Sequence, residues 1–78
     1  MSPEDVMRSM ETALNVAPHL ITSDTKASDI QEWDSMGQLA IIFMLDREYD
    51  VKLEPNEAAS LDSVEAVLAI LRQKGKLP

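Results

Sequence analysis

Glu32-Trp33-Asp34-Ser35-Met36-Gly37 is the stretch of this chain whose residue types and placement can do chemistry. Ser35 stands where a long polar segment meets an amphipathic run, so its hydroxyl lies at the start of a helix. Backbone N–H groups and the helix dipole favour an anion there, and a phosphate ester on Ser35 would suit the position. The alternative is a plain N-cap, because Ser35 and Gln38 have the S-x-x-Q spacing of a capping box. A second Asp-Ser pair, Asp62-Ser63, is followed by Val64 and Glu65. No long loop precedes it and one helix follows, so it reads as a cap, with Asp62 and Glu65 at capping distance. Ser23 and Ser28 lack a following apolar helix. His19 is the sole histidine and has no obvious orienting partner. A Ser-His-Asp triad fails, since adjacent Asp34 and Ser35 cannot flank one imidazole in the usual order, and no G-x-S-x-G elbow is present.

The elements that must position Ser35 follow from apolar spacing, which predicts an all-α domain of four helices. Ser2-Pro3-Glu4-Asp5 is a helix start: a cap, a proline at the first position and acids at the positive end. Val6, Met10 and Leu14 carry its stripe, with Ala13 beside them, and Pro18 is expected to stop it near Val16, giving helix 3–16. The segment from Pro18 to Asp34 shows no helical period and predicts a long loop anchored by Leu20, Ile21, Ile30 and Trp33. Loops of this length are usually functional or disordered. Residues 35–49 form the strongest predicted helix, with Ile41, Ile42, Leu45 and Tyr49 on one side and Met36, Leu39, Ala40, Phe43 and Arg47 on the other. In so small a domain both sides are hard to bury, so the second is free to bind. A short third helix is expected over 55–60 and a fourth over 62–74, with Val64, Val67, Leu68 and Leu71 facing the core and Gly75 ending it.

Length and composition bound the rest. The chain has 78 residues, 14 acids against 7 bases, a net charge of −7 and no cysteine. It predicts one domain over 1–78, with roughly 60% of the unfolded surface buried. Disulfides and thiolate metal sites are excluded, and one histidine makes a histidine-based metal cluster implausible, so no metal is expected. Neither a membrane span nor a signal-peptide pattern is evident, and the acidity disfavours nucleic acid and anionic membranes. The expectation is a cytoplasmic monomer with basic protein partners. Residues 1–34 carry net −5, residues 35–61 net −3 and residues 62–78 net +1, so the acidic field surrounds the loop before Ser35.

Asp34-Ser35-Met36 at the start of the second helix resembles the attachment site of acyl carrier proteins. The similarity covers nearly the whole chain. Leu45-Asp46-Arg47-Glu48-Tyr49-Asp50-Val51 is similar to the end of that family's second helix, Leu53-Glu54-Pro55-Asn56-Glu57-Ala58 to its short third helix, and Leu61-Asp62-Ser63-Val64 to the start of its fourth. The resemblance implies a four-helix carrier-protein bundle that is not itself an enzyme. It implies that Ser35 carries 4'-phosphopantetheine from coenzyme A, whose thiol holds acyl groups as thioesters, and that Asp34 is read by a phosphopantetheinyl transferase. It also implies docking through the second helix, assigned here to Met36, Leu39, Phe43 and Arg47. An acyl-loading ligase or acyltransferase and downstream biosynthetic enzymes would be the further partners. Ile41, Ile42, Leu45 and Tyr49 are then expected to line an inner space for a short acyl chain.

The family's usual early acids in the second helix are replaced here by Gly37, Gln38 and Ala40, the first acid being Asp46. That departure points to a discrete carrier of a specialised pathway. Asp-Ser-Met-Gly also resembles D-alanyl carriers, although their tryptophan-containing segment before the last helix is absent. Aminoacyl carriers usually place glycines before the serine pair, where this chain has Glu32-Trp33. An aminoacyl or D-alanyl carrier is the alternative within the class, and an unmodified helical interaction domain the alternative outside it.

Overall fold

A computed structural model describes residues 2–78, and these form four α-helices and no strand. The first, α1 (Pro3–Leu14), starts as its sequence dictates: Ser2 Oγ accepts from Asp5 N–H, and Ser2 N–H donates back to the Asp5 carboxylate. It ends before the expected position. Asn15 takes the left-handed conformation (φ 58°) and its N–H reaches the Glu11 and Thr12 carbonyls, so Pro18 lies beyond a helix already closed. Asparagine and aspartate tolerate this region better than most residues. Asp50 (φ 55°) ends α2 (Ser35–Tyr49) the same way. The short α3 spans Pro55–Ala59 and α4 spans Val64–Gln73, with Gly75 (φ 77°) just beyond.

α1 packs chiefly against α2 and also meets α4. Val6, Met10, Ile41, Met44, Leu45, Val64, Val67 and Leu71 have essentially no solvent exposure. Each such side chain contributes about 1.5–3 kcal/mol on burial. Met44 is the core residue of α2 that the two-sided spacing left out, while Ile42 is only half-buried.

The long connection from α1 to α2 is ordered by side chains. Ile21, Ile30 and Trp33 are buried, with a single turn of 3₁₀ helix at Ala27–Asp29; Leu20, expected as a fourth anchor, is exposed. At the start of this connection Glu11 is buried and its carboxylate accepts from the Ile21 N–H at 2.9 Å. Arg8 Nε forms an ion pair with Glu11 at 2.8 Å without the alignment of a hydrogen bond, and Arg8 Nη2 donates to the Ile21 carbonyl at 2.8 Å. Burial pushes the Glu11 carboxyl up, but the Ile21 and His19 N–H groups and the Arg8 charge outweigh it, leaving it below the ordinary value. In its middle the loop pairs with the approach to α4: Ala27 N–H donates to the Asp62 carbonyl at 2.9 Å and Val64 N–H to the Thr25 carbonyl at 3.0 Å.

Candidate functional site

The end of the loop and the start of α2 are built around Trp33, Asp34 and Gly37. Trp33 is buried, 6% exposed. Asp34 is the N-cap: its Oδ1 accepts from Gly37 N–H at 3.0 Å, and its carbonyl accepts from Gln38 N–H at 2.8 Å. The Ser35–Gln38 capping box expected from the spacing does not form. Ser35 is the first residue of the helix, one position too late to cap, and its exposed hydroxyl takes no part in the cap. Gln38 is engaged elsewhere, accepting from Trp33 Nε1 at 2.7 Å and donating to the Ala58 carbonyl at 2.8 Å.

Gly37 explains how the loop can lie so close to the helix. A Cβ there would collide with the Glu32 carbonyl oxygen and come within 2.8 Å of Leu14 Cδ2. The first position after Ser35-Met36 is therefore glycine because loop backbone crosses the helix at that point. A glycine inside a helical pattern costs stability and signals close approach, which is the sequence feature that marks it.

An open cleft of about 520 Å³ adjoins Ser35, lined by Trp33, Asp34, Gln38 and Leu39 on one side and Ala59, Leu61 and Asp62 on the other. Of the residues expected to line an inner space, Ile41 and Leu45 are fully buried, Tyr49 nearly so and Ile42 half-buried, and none of the four lines this cleft. The space next to Ser35 is a surface cleft against α3 and the loop, and the side chains of the predicted space are packed as core.

On the outer side of α2, Met36 is 74% exposed, Phe43 60% and Leu39 46%. Arg47 is also exposed, its Nη2 3.8 Å from the Glu48 carboxylate. Met36 lines a shallow groove of about 280 Å³ with Glu32 and Ala13, and Phe43 and Arg47 line another of about 320 Å³ with Thr12 and Glu48. Large apolar side chains thus follow Ser35 along one face of α2 without cover.

The other serine and histidine candidates are accounted for. Ser63, not Asp62, caps α4, its Oγ accepting from Ala66 N–H at 3.1 Å. His19 does have a partner: its Nδ1 lies 2.7 Å from Arg8 Nη1, at the far end of the loop from Ser35, and φ is 65°. Since a guanidinium only donates, that nitrogen is an acceptor, and the ring serves the α1 seam. Among the described residues no three His, Asp or Glu side chains are grouped to hold a metal, and no helix is long and apolar enough to cross a membrane.

Set against protein-family models, curated proteins and solved structures, the chain matches none of them.

Proposed function

We propose that this chain is an acyl carrier protein, modified on Ser35 with 4'-phosphopantetheine and acting in the cytoplasm as a monomeric carrier in a specialised biosynthetic pathway. The observation that carries the reading is the division of roles at the start of α2: Asp34 makes the cap, which leaves the Ser35 hydroxyl exposed and uncommitted beside an open cleft. The residues fit the group. The cap uses the N–H groups of Gly37 and Gln38, so those of Ser35 and Met36 stand outside it, where a phosphate ester gains from the helix dipole.

When bound, the group supplies the thiol that the cysteine-free chain lacks. The chain's own residues then do three things. Trp33, Asp34 and Gly37 fix the orientation of the helix start, so Ser35 is presented at one place. Asp34 offers its carboxylate to the transferase while holding the helix. Met36, Leu39, Phe43 and Arg47 form a largely apolar docking strip running away from Ser35, where the transferase and an acyl-loading ligase or acyltransferase can bind. Tethering the acyl group raises its effective concentration at each successive enzyme.

Incubation with a promiscuous phosphopantetheinyl transferase, magnesium and coenzyme A, read by intact mass, tests the assignment. A single adduct is expected on the wild type and none on Ser35→Ala. An unmodified wild type would leave the helical interaction domain as the reading. Loading with amino acids in preference to acyl groups would identify the aminoacyl or D-alanyl carrier.

A further inference from the structure

One side chain joins α2 to α3 beside Ser35. Gln38 is half-buried and both ends of its amide are used: Oε1 accepts from the Trp33 indole N–H, and Nε2 donates to the Ala58 carbonyl. The loop end, the first turn of α2 and the C-terminal half of α3 therefore meet at a single residue. α3 is also held from its other side, where Lys74 Nζ lies 3.2 Å from the Glu57 carboxylate.

Gln38 lies in the wall of the cleft next to Ser35, and two other wall residues, Trp33 and Leu61, belong to the hydrophobic core. Behind them Ile41, Met44, Leu45 and Val64 have no exposure. An alkyl chain that enters that core between α2 and α3 meets Gln38 and must break its bonds to Trp33 and Ala58. Doing so strips the buried Trp33 N–H of its acceptor and exposes the Gln38 amide to methylene groups, both of which oppose entry.

We infer that Gln38 is a specificity-determining residue that keeps the route between α2 and α3 shut, so that this chain carries short acyl groups of acetyl to butyryl size in the surface cleft and not long alkyl chains in its core. The inference rests on the carrier reading above. Short groups need no core space, and the polar rim of Asp34, Gln38 and Asp62 does not penalise hydroxyl or carbonyl substituents on them.

The test loads Ser35 with acyl-phosphopantetheine from acetyl- to octanoyl-coenzyme A and reads the melting temperature and the Trp33 indole N–H resonance for each species. Wild type is expected to hold its melting temperature within about 2 °C across the series, with the indole resonance unmoved. Gln38→Ala is expected to gain stability with chain length, by about 5 °C at octanoyl, as methylenes enter the core. Gln38→Met keeps the length of the side chain while removing both hydrogen bonds, and is expected to show the same gain should the alanine variant fold poorly. A wild type whose melting temperature climbs with chain length overturns the inference alone, as does a series that is flat in both variants. Failure of Ser35 to accept any acyl group overturns the carrier reading and the inference with it.

Discussion

Asp-Ser occurs at the start of α2 and again at the start of α4, and the two copies divide their work oppositely. At α2 the aspartate caps and the serine becomes the first helical residue with an exposed hydroxyl. At α4 the serine caps, its hydroxyl bound to Ala66 N–H, and Asp62 is left outside. The difference of one residue comes from what precedes each helix. Ser63 is held extended because the Asp62 carbonyl and Val64 N–H on either side of it pair with the backbone of Ala27 and Thr25, so α4 cannot begin before Val64. At α2 the buried Trp33 fixes the chain one residue earlier, and Gly37 lets the loop cross close to the helix, so the turn begins at Ser35. The same dipeptide thus yields an exposed, uncommitted hydroxyl in one place and a structural one in the other, and the surrounding loop decides which.

Breaking the close approach has the largest expected effect. Gly37→Ala places a methyl group against the Glu32 carbonyl, which is backbone and cannot swing aside, and should cost about 3 kcal/mol in urea unfolding. A loss below about 0.5 kcal/mol would mean that Gly37 does not set the start of α2.

Glu11→Gln acts at the other end of the loop. It leaves Arg8 without its anionic partner and should cost about 2 kcal/mol at neutral pH. The folded carboxyl titrates below the ordinary glutamate value, so its stabilisation is present in full above about pH 4.3 and is lost as pH falls through the lower folded value. The melting-temperature gap between wild type and Glu11→Gln should therefore narrow below that pH; a gap that stays constant to pH 2 would contradict the assignment.

The caps give the finest contrast. Ser63→Ala and Asp34→Ala should each cost about 1 kcal/mol, whereas Ser35→Ala and Asp62→Ala should stay within about 0.5 kcal/mol. Equal losses for Ser35→Ala and Ser63→Ala would erase the distinction between the two copies. Thermal unfolding of the four variants side by side decides it.

Much of this was legible from residue types. Ser2-Pro3-Glu4-Asp5, the apolar stripes of α1 and α4, Pro55 and Gly75 each carry their meaning locally, and the helices fall where those signals put them, within a residue or two. The position of Ser35 at a loop–helix junction was equally visible. Both caps lie one residue from the expected position because Asp and Ser are each good caps, and the choice depends on contacts that no local spacing encodes: Thr25 with Val64 at α4, and Glu32 with Gly37 at α2. Glu11 sits on the α1 face like any solvated acid until Ile21 folds over it. Gln38 matched a capping box on spacing alone, while its partners Trp33 and Ala58 lie on a loop and a different helix. Asn15 and Asp50 end their helices in the left-handed region, whereas the expected end of the first helix was set by Pro18 and so lies two residues too late.

The most direct measurement uses the wild-type chain and both Asp-Ser sites at once. After treatment with transferase, magnesium and coenzyme A, the protein is digested and each serine-containing peptide is weighed. The phosphopantetheine adduct is predicted on the peptide bearing Ser35 and absent from the one bearing Ser63. An adduct on Ser63, or on neither peptide, would contradict the assignment of Ser35 as the carrier residue.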